Sequence, residues 1–582
     1  MARPVAVGRQ IIFHIFLLAR MLTGTSMGNS ETPSLKVLPL GGLGEIGLNM
    51  TLVIWDDCAF ILDAGLMFPD ESMPGVDYVI PDVNVLTRLH QNILGIVITH
   101  AHEDHIGALP YLLKKINVPI YATSLTMGFI ENKFDEFDLL TSTDRIVIST
   151  DSPIQLGPFL LEFFAMCHSV PDAVGVMAQT PIGRLVFSGD FKIDPNPIDG
   201  RLCDFEKLGK YADAGVLALF SDSTNVEFPG RTRSESALRP SFEKIFANAS
   251  GRILIATFAS SIHRLQQVLT VTEQFNRKAA LVGRSMVANA RIAVERGYLK
   301  IPENILVDIN ELEKIPDNRV TVLSTGSQGE PMSALALMAS ERHKYLKVKE
   351  GDTVIFSSRF IPGNEKAINS MINDLARRGA NVMYEKIADV HVSGHGREEE
   401  LRELVRIVRP RYFVPIHGEY RHLLRHAQLA IGEGVLQENV VVATNGDVIE
   451  ISEDGIGVTE QIDIGRVFVH GKGVGDIGRD VLRDRRTISE VGLITVVLVV
   501  STHDGRILSG PELRSIGVTY EEIEPELMEG IRSAILERIS NLRPSVSSDW
   551  DNIRDDIRLL TRRFVNKLLG RKPVVQTIIL EV

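Results

Sequence analysis

The sequence predicts an α/β fold in which sheets are covered by helices. Short apolar runs such as residues 95–99 lack polar alternation, which is typical of strands buried on both faces. Residues 234–386 alternate helical and strand-like stretches, as βαβ units do. The chain has 582 residues, of which 44% are hydrophobic and 23% charged, so we expect several globular domains.

The first predicted domain, residues 35–233, consists mainly of strands separated by glycine-rich turns. We expect strands at residues 36–40, 50–55, 59–63, 95–99, 161–167 and 185–188. Residues 387–465 return to the same pattern, with strand-like runs at 412–416 and 440–443. They are predicted to form the second part of this domain.

Residues 234–386, between these two parts, are predicted to form an inserted α/β domain. We expect helices at residues 241–249, 261–275 and 285–296, and strands at 252–257, 319–324 and 353–357. A glycine-rich linker, residues 466–485, then leads to a small C-terminal α/β domain, residues 486–582. In that domain we expect the order strand, helix, helix, strand, at residues 493–501, 526–539, 551–569 and 574–582.

Residues 1–34 are interpreted as an N-terminal extension, of which residues 1–26 are either disordered or a mis-called start upstream of Met27. A weak secretory signal is the alternative, but no convincing cleavage site follows the apolar stretch. Only three cysteines are present, which cannot build a disulfide framework and fit a reducing compartment. No run approaches the ~18 apolar residues that a membrane span needs. We therefore expect a cytoplasmic protein with no membrane partner.

The charge balance is acidic, with 62 Lys and Arg against 74 Asp and Glu, or −12. Taken alone, this speaks against a nucleic-acid coat protein and a basic membrane-surface protein. The total does not show where the charges lie, however, so it does not decide what a local site binds.

A glycine motif at residues 42–47 matches the G-x-G-x-x-G dinucleotide fingerprint. That fingerprint requires a helix to begin at its last glycine, where the helix N-terminus meets the pyrophosphate. Residues 50–54 are strand-like instead. The motif is therefore interpreted as a turn between two strands.

The strongest chemical signal follows the strand at 95–99. Its four candidate ligands lie within six residues and suit zinc or a similar divalent ion: His100, His102, Asp104 and His105. Six residues cannot place all four side chains around one ion, so the spacing indicates two adjacent metals. Further candidate ligands follow other predicted strands: His168, Asp190 and His417. Asp190 suits a bridging position because a carboxylate offers two oxygens.

Together these residues resemble the metallo-β-lactamase superfamily, and the insertion before His417 resembles the β-CASP nucleases. Four further motifs make the chain similar to the ribonuclease J family: residues 39–47, 63–69, 391–395 and 415–419. The resemblance runs from about residue 35 to the C-terminus. It implies a metallo-β-lactamase αββα sandwich with an inserted β-CASP domain and a small C-terminal domain that supports oligomerisation.

The resemblance also implies roles for individual residues. One ion would be held by His100, His102 and His168, and the second by Asp104, His105 and His417, with Asp190 between them. Asp190 and His395 would be catalytic, with His395 beside the scissile phosphate as a proton donor or phosphate ligand. The RNA backbone would contact His391, Val392, Ser393, Gly394 and His395. Two ions would activate water and stabilise the charge that develops on phosphorus.

The expected ions are Zn²⁺, with Mn²⁺ as the alternative. Some relatives bind a structural Ca²⁺ near the region matching residues 75–77 and an aspartate matching position 470. This chain has His470 there, and a hard cation prefers oxygen ligands, so Ca²⁺ is not expected.

The resemblance implies a ribonuclease with 5′-to-3′ exonuclease and endonuclease activity, acting in mRNA decay and rRNA maturation. Its partners would be RNA with a 5′-monophosphate end, further copies of the chain in a homodimer or homotetramer, and an RNA-degradation complex. Two alternatives stay open: a hydrolase of a small thioester or lactam, and an inactive RNA-binding scaffold. The first does not need the insertion or the loop 391–395, and the second would require an incomplete ligand set.

Overall fold

The computed structural model describes residues 34–542 and 550–582, except residues 71, 90, 362, 472 and 505. The predicted N-terminal extension lies outside the described residues, apart from Ser34. No helix of the described part is both long and apolar enough to cross a bilayer.

The domain that carries the candidate ligands, residues 35–233 and 387–465, is called the catalytic domain. Its first part contains thirteen strands and five helices among the described residues. Its strands are β1 Leu35–Gly41, β2 Leu43–Gly44, β3 Met50–Trp55, β4 Cys58–Leu62, β5 Tyr78–Pro81, β6 Asn92–Val97, β7 Ile120–Ala122, β8 Arg145–Val147, β9 Ile154–Leu156, β10 Phe159–Ala165, β11 Val174–Thr180, β12 Gly183–Phe187 and β13 Ala218–Asp222. Its helices are α1 Asn84–Arg88, α2 Glu103–Ile106, α3 Leu109–Leu112, α4 Ser124–Glu136 and α5 Phe205–Asp213.

The inserted domain follows, after a 3₁₀ turn at Glu235–Leu238. Its strands are β14 Ile253–Ala256, β15 Lys278–Val282, β16 Val320–Ser324, β17 Thr353–Phe356 and β18 Asn381–Met383. Its helices are α6 Arg239–Asn248, α7 Ile262–Gln274, α8 Arg284–Glu295, α9 Ala334–Ala339 and α10 Glu365–Arg377. The five strands pair in parallel in the order β15-β16-β14-β17-β18, which agrees with the βαβ pattern of the sequence.

The remaining elements complete the catalytic domain and form the C-terminal domain. The strands are β19 Tyr412–Ile416, β20 Gly418–Glu419, β21 Asp447–Ile451, β22 Ile456–Gln461, β23 Arg466–His470, β24 Gly473–Val474, β25 Leu493–Val500, β26 Ile507–Ile516 and β27 Val574–Glu581. The helices are α11 Glu398–Val408, α12 Tyr420–Gly432, α13 Arg479–Val491, α14 Glu524–Leu542 and α15 Trp550–Leu569.

Two sheets and their outer helices form a four-layer αββα sandwich. The eight-stranded sheet has the order β22-β21-β1-β3-β4-β6-β7-β8, and the six-stranded sheet has the order β19-β13-β12-β11-β10-β9. Along β1, Leu35 and Val37 pack between the sheets, whereas Leu38 and Leu40 face the helical side. Both faces of β1 are thus largely buried, because side chains alternate across a strand and both sides of the sheet are covered here.

The C-terminal domain packs a three-stranded sheet, in the order β26-β25-β27, against α14 and α15. Ile494, Val496 and Leu498 of β25 contact the apolar positions of the two helices. Strand β26 and helix α13 were not predicted from the sequence. Glycine and polar residues interrupt the apolar pattern of β26, and α13 has only one buried residue, Leu482, to mark an apolar face.

Two segments differ from the sequence expectations. The strand expected at 440–443 is wrong: only Val440 forms a bridge, to Phe413, and the chain then turns where Thr444 N donates to Asp447 Oδ2. The segment predicted as a linker, 466–485, contains β23, which pairs with β5 of the catalytic domain, and the first turns of α13. The glycine motif at 42–47 connects β1 to β3 without a helix, as predicted, but Leu43 and Gly44 within it form the short strand β2, which pairs with β20.

Candidate metal centre

The first candidate ligands lie on the connection between β6 and α2. Asp63, at the end of β4, accepts hydrogen bonds from the Thr99 backbone N–H at 2.8 Å and from the Thr99 hydroxyl. This fixes the chain where it leaves the sheet. Helix α2 begins directly after His102, and one turn brings His105 back toward the sheet, where it is 2% exposed.

Three imidazoles face one another in a first cluster. His102 Nδ1 lies 3.0 Å from His100 Nε2 and 3.1 Å from His168 Nε2. Burial holds the pKa of His100 and of His168 well below the usual histidine value, and lowers that of His102 to about 4. The three rings are therefore neutral near pH 7 and offer nitrogen lone pairs, as a metal requires.

The second cluster contains Asp104, His105, Asp190 and His417, whose ligand atoms lie within 4.8 Å of one another. His105 Nε2 is 3.3 Å from Asp190 Oδ2, and His417 Nε2 is 3.5 Å from Asp104 Oδ2. The neighbouring carboxylates favour the protonated form of these rings. Burial alone would lower the pKa of His417, but Asp190 and Asp104 outweigh it and raise that pKa to about 10.

Asp190 lies between the two clusters. Its Oδ2 is 3.7 Å from His100 Nε2 and 4.0 Å from His168 Nε2, while its Oδ1 is 2.7 Å from His417 Nδ1. Burial opposes its ionisation, yet the charges on His417 and His105 hold the pKa of Asp190 well below the usual range. A carboxylate in this position can contribute an oxygen to each cluster.

The donors fit divalent ions. The first cluster offers three imidazole nitrogens, and the second offers two imidazoles and two carboxylates, which are ligand sets that suit zinc or manganese. His417 Nε2 is buried, makes no hydrogen bond with any described residue and faces Asp104, so a bound cation would take the place of its proton there. The described residues thus contain a divalent metal site.

Two carboxylates that the sequence analysis did not assign support this centre. Asp63 Oδ2 lies 2.8 Å from His105 Nδ1, which directs His105 Nε2 toward Asp190. Asp222, at the end of β13, has its Oδ2 2.8 Å from His395 Nδ1. The available signal was their position at the end of a buried strand, as for Asp190.

The loop 391–395 lies against the first cluster. The Gly394 carbonyl is 2.8 Å from His168 Nδ1, and a Cβ added to Gly394 would lie 2.6 Å from His168 Cε1. Asn225 donates to Ser393 Oγ and to the His395 carbonyl. The position next to His168 therefore requires glycine, and the loop is tied directly to a candidate ligand.

The residues of this loop differ in their placement. His395 groups with Asp190, Asp222 and His417, its Nδ1 3.9 Å from Asp190 Oδ2. Burial opposes protonation of His395, but Asp222 and Asp190 raise its pKa overall. The Val392 side chain is buried in the hydrophobic core. Burial and the nearby Arg264 lower the pKa of His391 to about 3, so this ring is neutral.

The region considered for calcium contains Asp77 and His470, which face each other at the surface. Asp77 Oδ2 accepts a hydrogen bond from the Gly471 backbone N–H at 2.7 Å and lies 3.9 Å from His470 Nδ1. Asp77 and His470 are both about half exposed.

Comparison with known proteins places the chain in a family. Four family models match: "Metallo-beta-lactamase superfamily" at residues 45–235, "Ribonuclease J, beta-CASP domain" at 250–375, "Zn-dependent metallo-hydrolase RNA specificity domain" at 379–443 and "Ribonuclease J C-terminal domain" at 480–582. The chain is 40% identical to Ribonuclease J of Thermus thermophilus, over 94% of this chain and 95% of that protein. The chain belongs to the ribonuclease J family.

The chain is also similar to other members of the ribonuclease J family over most of its length. Ribonuclease J of Synechocystis sp. is 39% identical over 94% of this chain and 87% of that protein, and Ribonuclease J2 of Bacillus subtilis is 35% identical over 96% and 100%. A solved structure of a protein of unknown function from Enterococcus faecalis shares the fold, with a TM-score of 0.51 and 15% identity over 72% of this chain and all of that one. The predicted family and fold class are confirmed, and the protein is a metal-dependent ribonuclease.

Proposed function

We propose that this ribonuclease J family member hydrolyses RNA with two divalent ions per subunit, Zn²⁺ or Mn²⁺, held in the two clusters. The position of Asp190 between the clusters carries this proposal, because it lets one carboxylate serve both ions. His100, His102 and His168 would hold one ion, and Asp104, His105 and His417 the other. Bound there, the ions supply an activated water and neutralise charge on the phosphate.

His395 serves as the proton donor to the leaving oxygen. Asp222 holds its Nδ1, so Nε2 is the ring atom left for substrate, and the raised pKa of His395 favours the protonated ring. Ser393 and the backbone of loop 391–395 bind the RNA chain beside this ring. Small backbone units such as Gly394 let a phosphate approach closely.

The inserted domain adds polar loops on the same side. Gln328 donates to Ser358 Oγ and the Arg359 carbonyl, which joins the loops at 324–330 and 357–365. The Arg359 guanidinium donates to Asn225 Oδ1 and lies 4.7 Å from the Phe228 ring. Because Asn225 also holds the loop 391–395, these contacts support recognition of RNA phosphates, including a 5′-monophosphate, next to the metal centre.

The family supports the remaining parts of this proposal. The enzyme removes nucleotides from a 5′-monophosphate end and also cleaves internally, in mRNA decay and rRNA maturation. It works in the cytoplasm as a homodimer or homotetramer, in part within an RNA-degradation complex.

Cleavage of end-labelled RNA by the purified chain tests the proposal. We expect nucleotide release from a 5′-monophosphorylated RNA, slower release from its 5′-triphosphorylated form, and loss of both on chelation. H395Q is compared with H503Q, since His503 is an exposed histidine of the C-terminal domain. Chelator-resistant cleavage would overturn the role of the metals, and equal activity of the two variants would overturn the role of His395.

A further inference from the structure

The chain crosses between the catalytic domain and the inserted domain twice. It leaves near Glu235, whose backbone N–H donates to Asp194 Oδ2 at 2.8 Å, and it returns near Val390. Val390 directly precedes the loop 391–395. The return crossing therefore determines where that loop meets the metal centre.

One guanidinium contacts both crossings. Arg264, on α7 of the inserted domain, is 2% exposed and donates from Nε and one terminal nitrogen to the Glu235 carboxylate, at 2.6 and 3.2 Å. Its other terminal nitrogen donates to the Ser357 hydroxyl at 2.5 Å, to the Ser357 carbonyl at 2.9 Å and to the Val390 carbonyl at 3.2 Å. Ser357 Oγ itself donates to the Val390 carbonyl at 2.6 Å.

The far end of the loop is fixed to the catalytic domain. The Thr232 hydroxyl donates to the His395 carbonyl at 2.8 Å, and the Gly396 N–H donates to the Phe191 carbonyl at 2.6 Å. The near end, at Val390, is held by Arg264 and Ser357. A displacement of Val390 would consequently shift loop 391–395, because the far end of the loop cannot move with it.

A simple ion pair does not account for this arrangement. Glu235 occupies only half of the Arg264 fork, and it also faces Lys192, whose Nζ is 3.9 Å from Glu235 Oε2. The other half of the fork binds main-chain and hydroxyl oxygens of the return crossing. A lysine offers no second rigid branch, so it cannot serve both sides.

We propose that Arg264 is a positioning residue for RNA cleavage: it joins the two crossings of the inserted domain and so places His395 beside the scissile phosphate. This inference rests on the proposed role of loop 391–395. Arg264 touches no substrate and acts through Val390. The inserted domain thereby contributes to alignment of the active centre as well as to RNA binding.

The variant R264K tests this. It keeps a positive charge opposite Glu235 but loses the branch that reaches the return crossing. Small displacements of catalytic groups cost up to about 100-fold in rate, so we expect kcat on 5′-monophosphorylated RNA to fall about 10- to 100-fold. Cleavage of bis(p-nitrophenyl) phosphate, whose leaving group departs without a proton donor, should stay within about twofold.

R252K is the matched control. Arg252 is also a buried arginine of the inserted domain, pairing with both oxygens of Asp352 and donating to the Lys347 carbonyl, but it contacts neither crossing. It should leave the ratio of the two activities unchanged. If R264K folds poorly, S357A removes the hydroxyl that links Arg264 to Val390, and we expect the same selective loss at smaller size.

A double variant separates positioning from general damage. In an H395Q background, R264K should have little further effect on RNA cleavage, because both changes act through the same proton donor. Equal activity ratios for R264K and R252K, or a full R264K effect in the H395Q background, would overturn the inference. If the wild type shows no chelator-sensitive RNA cleavage, the proposed function fails; if it cleaves normally and R264K matches it, only this inference fails.

Discussion

Replacing Asp222 with asparagine should lower the pKa of His395 and so shift the pH dependence of RNA cleavage to lower pH. Asp222 Oδ2 lies 2.8 Å from His395 Nδ1, while Oδ1 accepts from the Thr224 N–H and hydroxyl. In D222N the amide oxygen keeps the Thr224 contacts, so the NH₂ group faces His395 and disfavours the protonated ring. A hydrogen bond to a charged group contributes about 1.5–3 kcal/mol, which corresponds to about one to two pH units.

The pH dependence of kcat measures this effect. The alkaline limb for RNA should move down by about one to two pH units in D222N, with a fall of about 10- to 100-fold above that limb. Bis(p-nitrophenyl) phosphate should lose much less, since its leaving group needs no proton. D213N is the control, because Asp213 is an exposed aspartate paired with Arg409 at the surface. An unmoved limb, or equal losses on both substrates, would refute the proton-donor role of His395.

Two further predictions concern Gly394 and Glu235. G394A places a Cβ 2.6 Å from His168 Cε1, so it should lower the amount of bound metal and reduce RNA cleavage at least about 10-fold. The control is G209A, at a helical site with open space, which should keep both the bound metal and the activity. Wild-type metal content in G394A would contradict this prediction. Burial would raise the pKa of Glu235, but Arg264 outweighs it and holds that pKa at about 2. This stabilisation is present above about pH 4.5 and is lost as the pH falls toward 2. Between pH 4.5 and 3 the free energy of unfolding in urea should therefore drop about 1.5 kcal/mol more for wild type than for E235Q. Parallel pH curves for the two proteins would contradict that assignment.

Much of the fold could be predicted because the local patterns agree with the tertiary structure. The βαβ alternation of residues 234–386 produced a parallel sheet, and the unbroken apolar strands lie in a sandwich covered on both sides. Strand β26 could not be predicted, because Gly510 and exposed polar residues interrupt its apolar pattern. Its extended conformation is stabilised by pairing with β25, which the sequence of β26 alone does not show.

The candidate site likewise contains residues that the sequence predicted and residues that it did not. His100, His102, Asp104 and His105 are close in sequence, so their spacing alone indicated a metal. Contacts between distant segments leave no such spacing. The pairing of Asp222 with His395 and of Arg264 with Val390 joins residues more than 100 positions apart, and only the folded chain shows them together.

Metal titration against activity tests the central claim most directly. The chain is stripped with chelator, dialysed, and returned to Zn²⁺ or Mn²⁺ in steps while bound metal and nucleotide release from 5′-monophosphorylated RNA are measured together. The two clusters joined by Asp190 predict that activity reaches its plateau at about two ions per chain, and that D190N binds less metal and stays inactive. A plateau at one ion, or full activity in the stripped protein, would contradict the account.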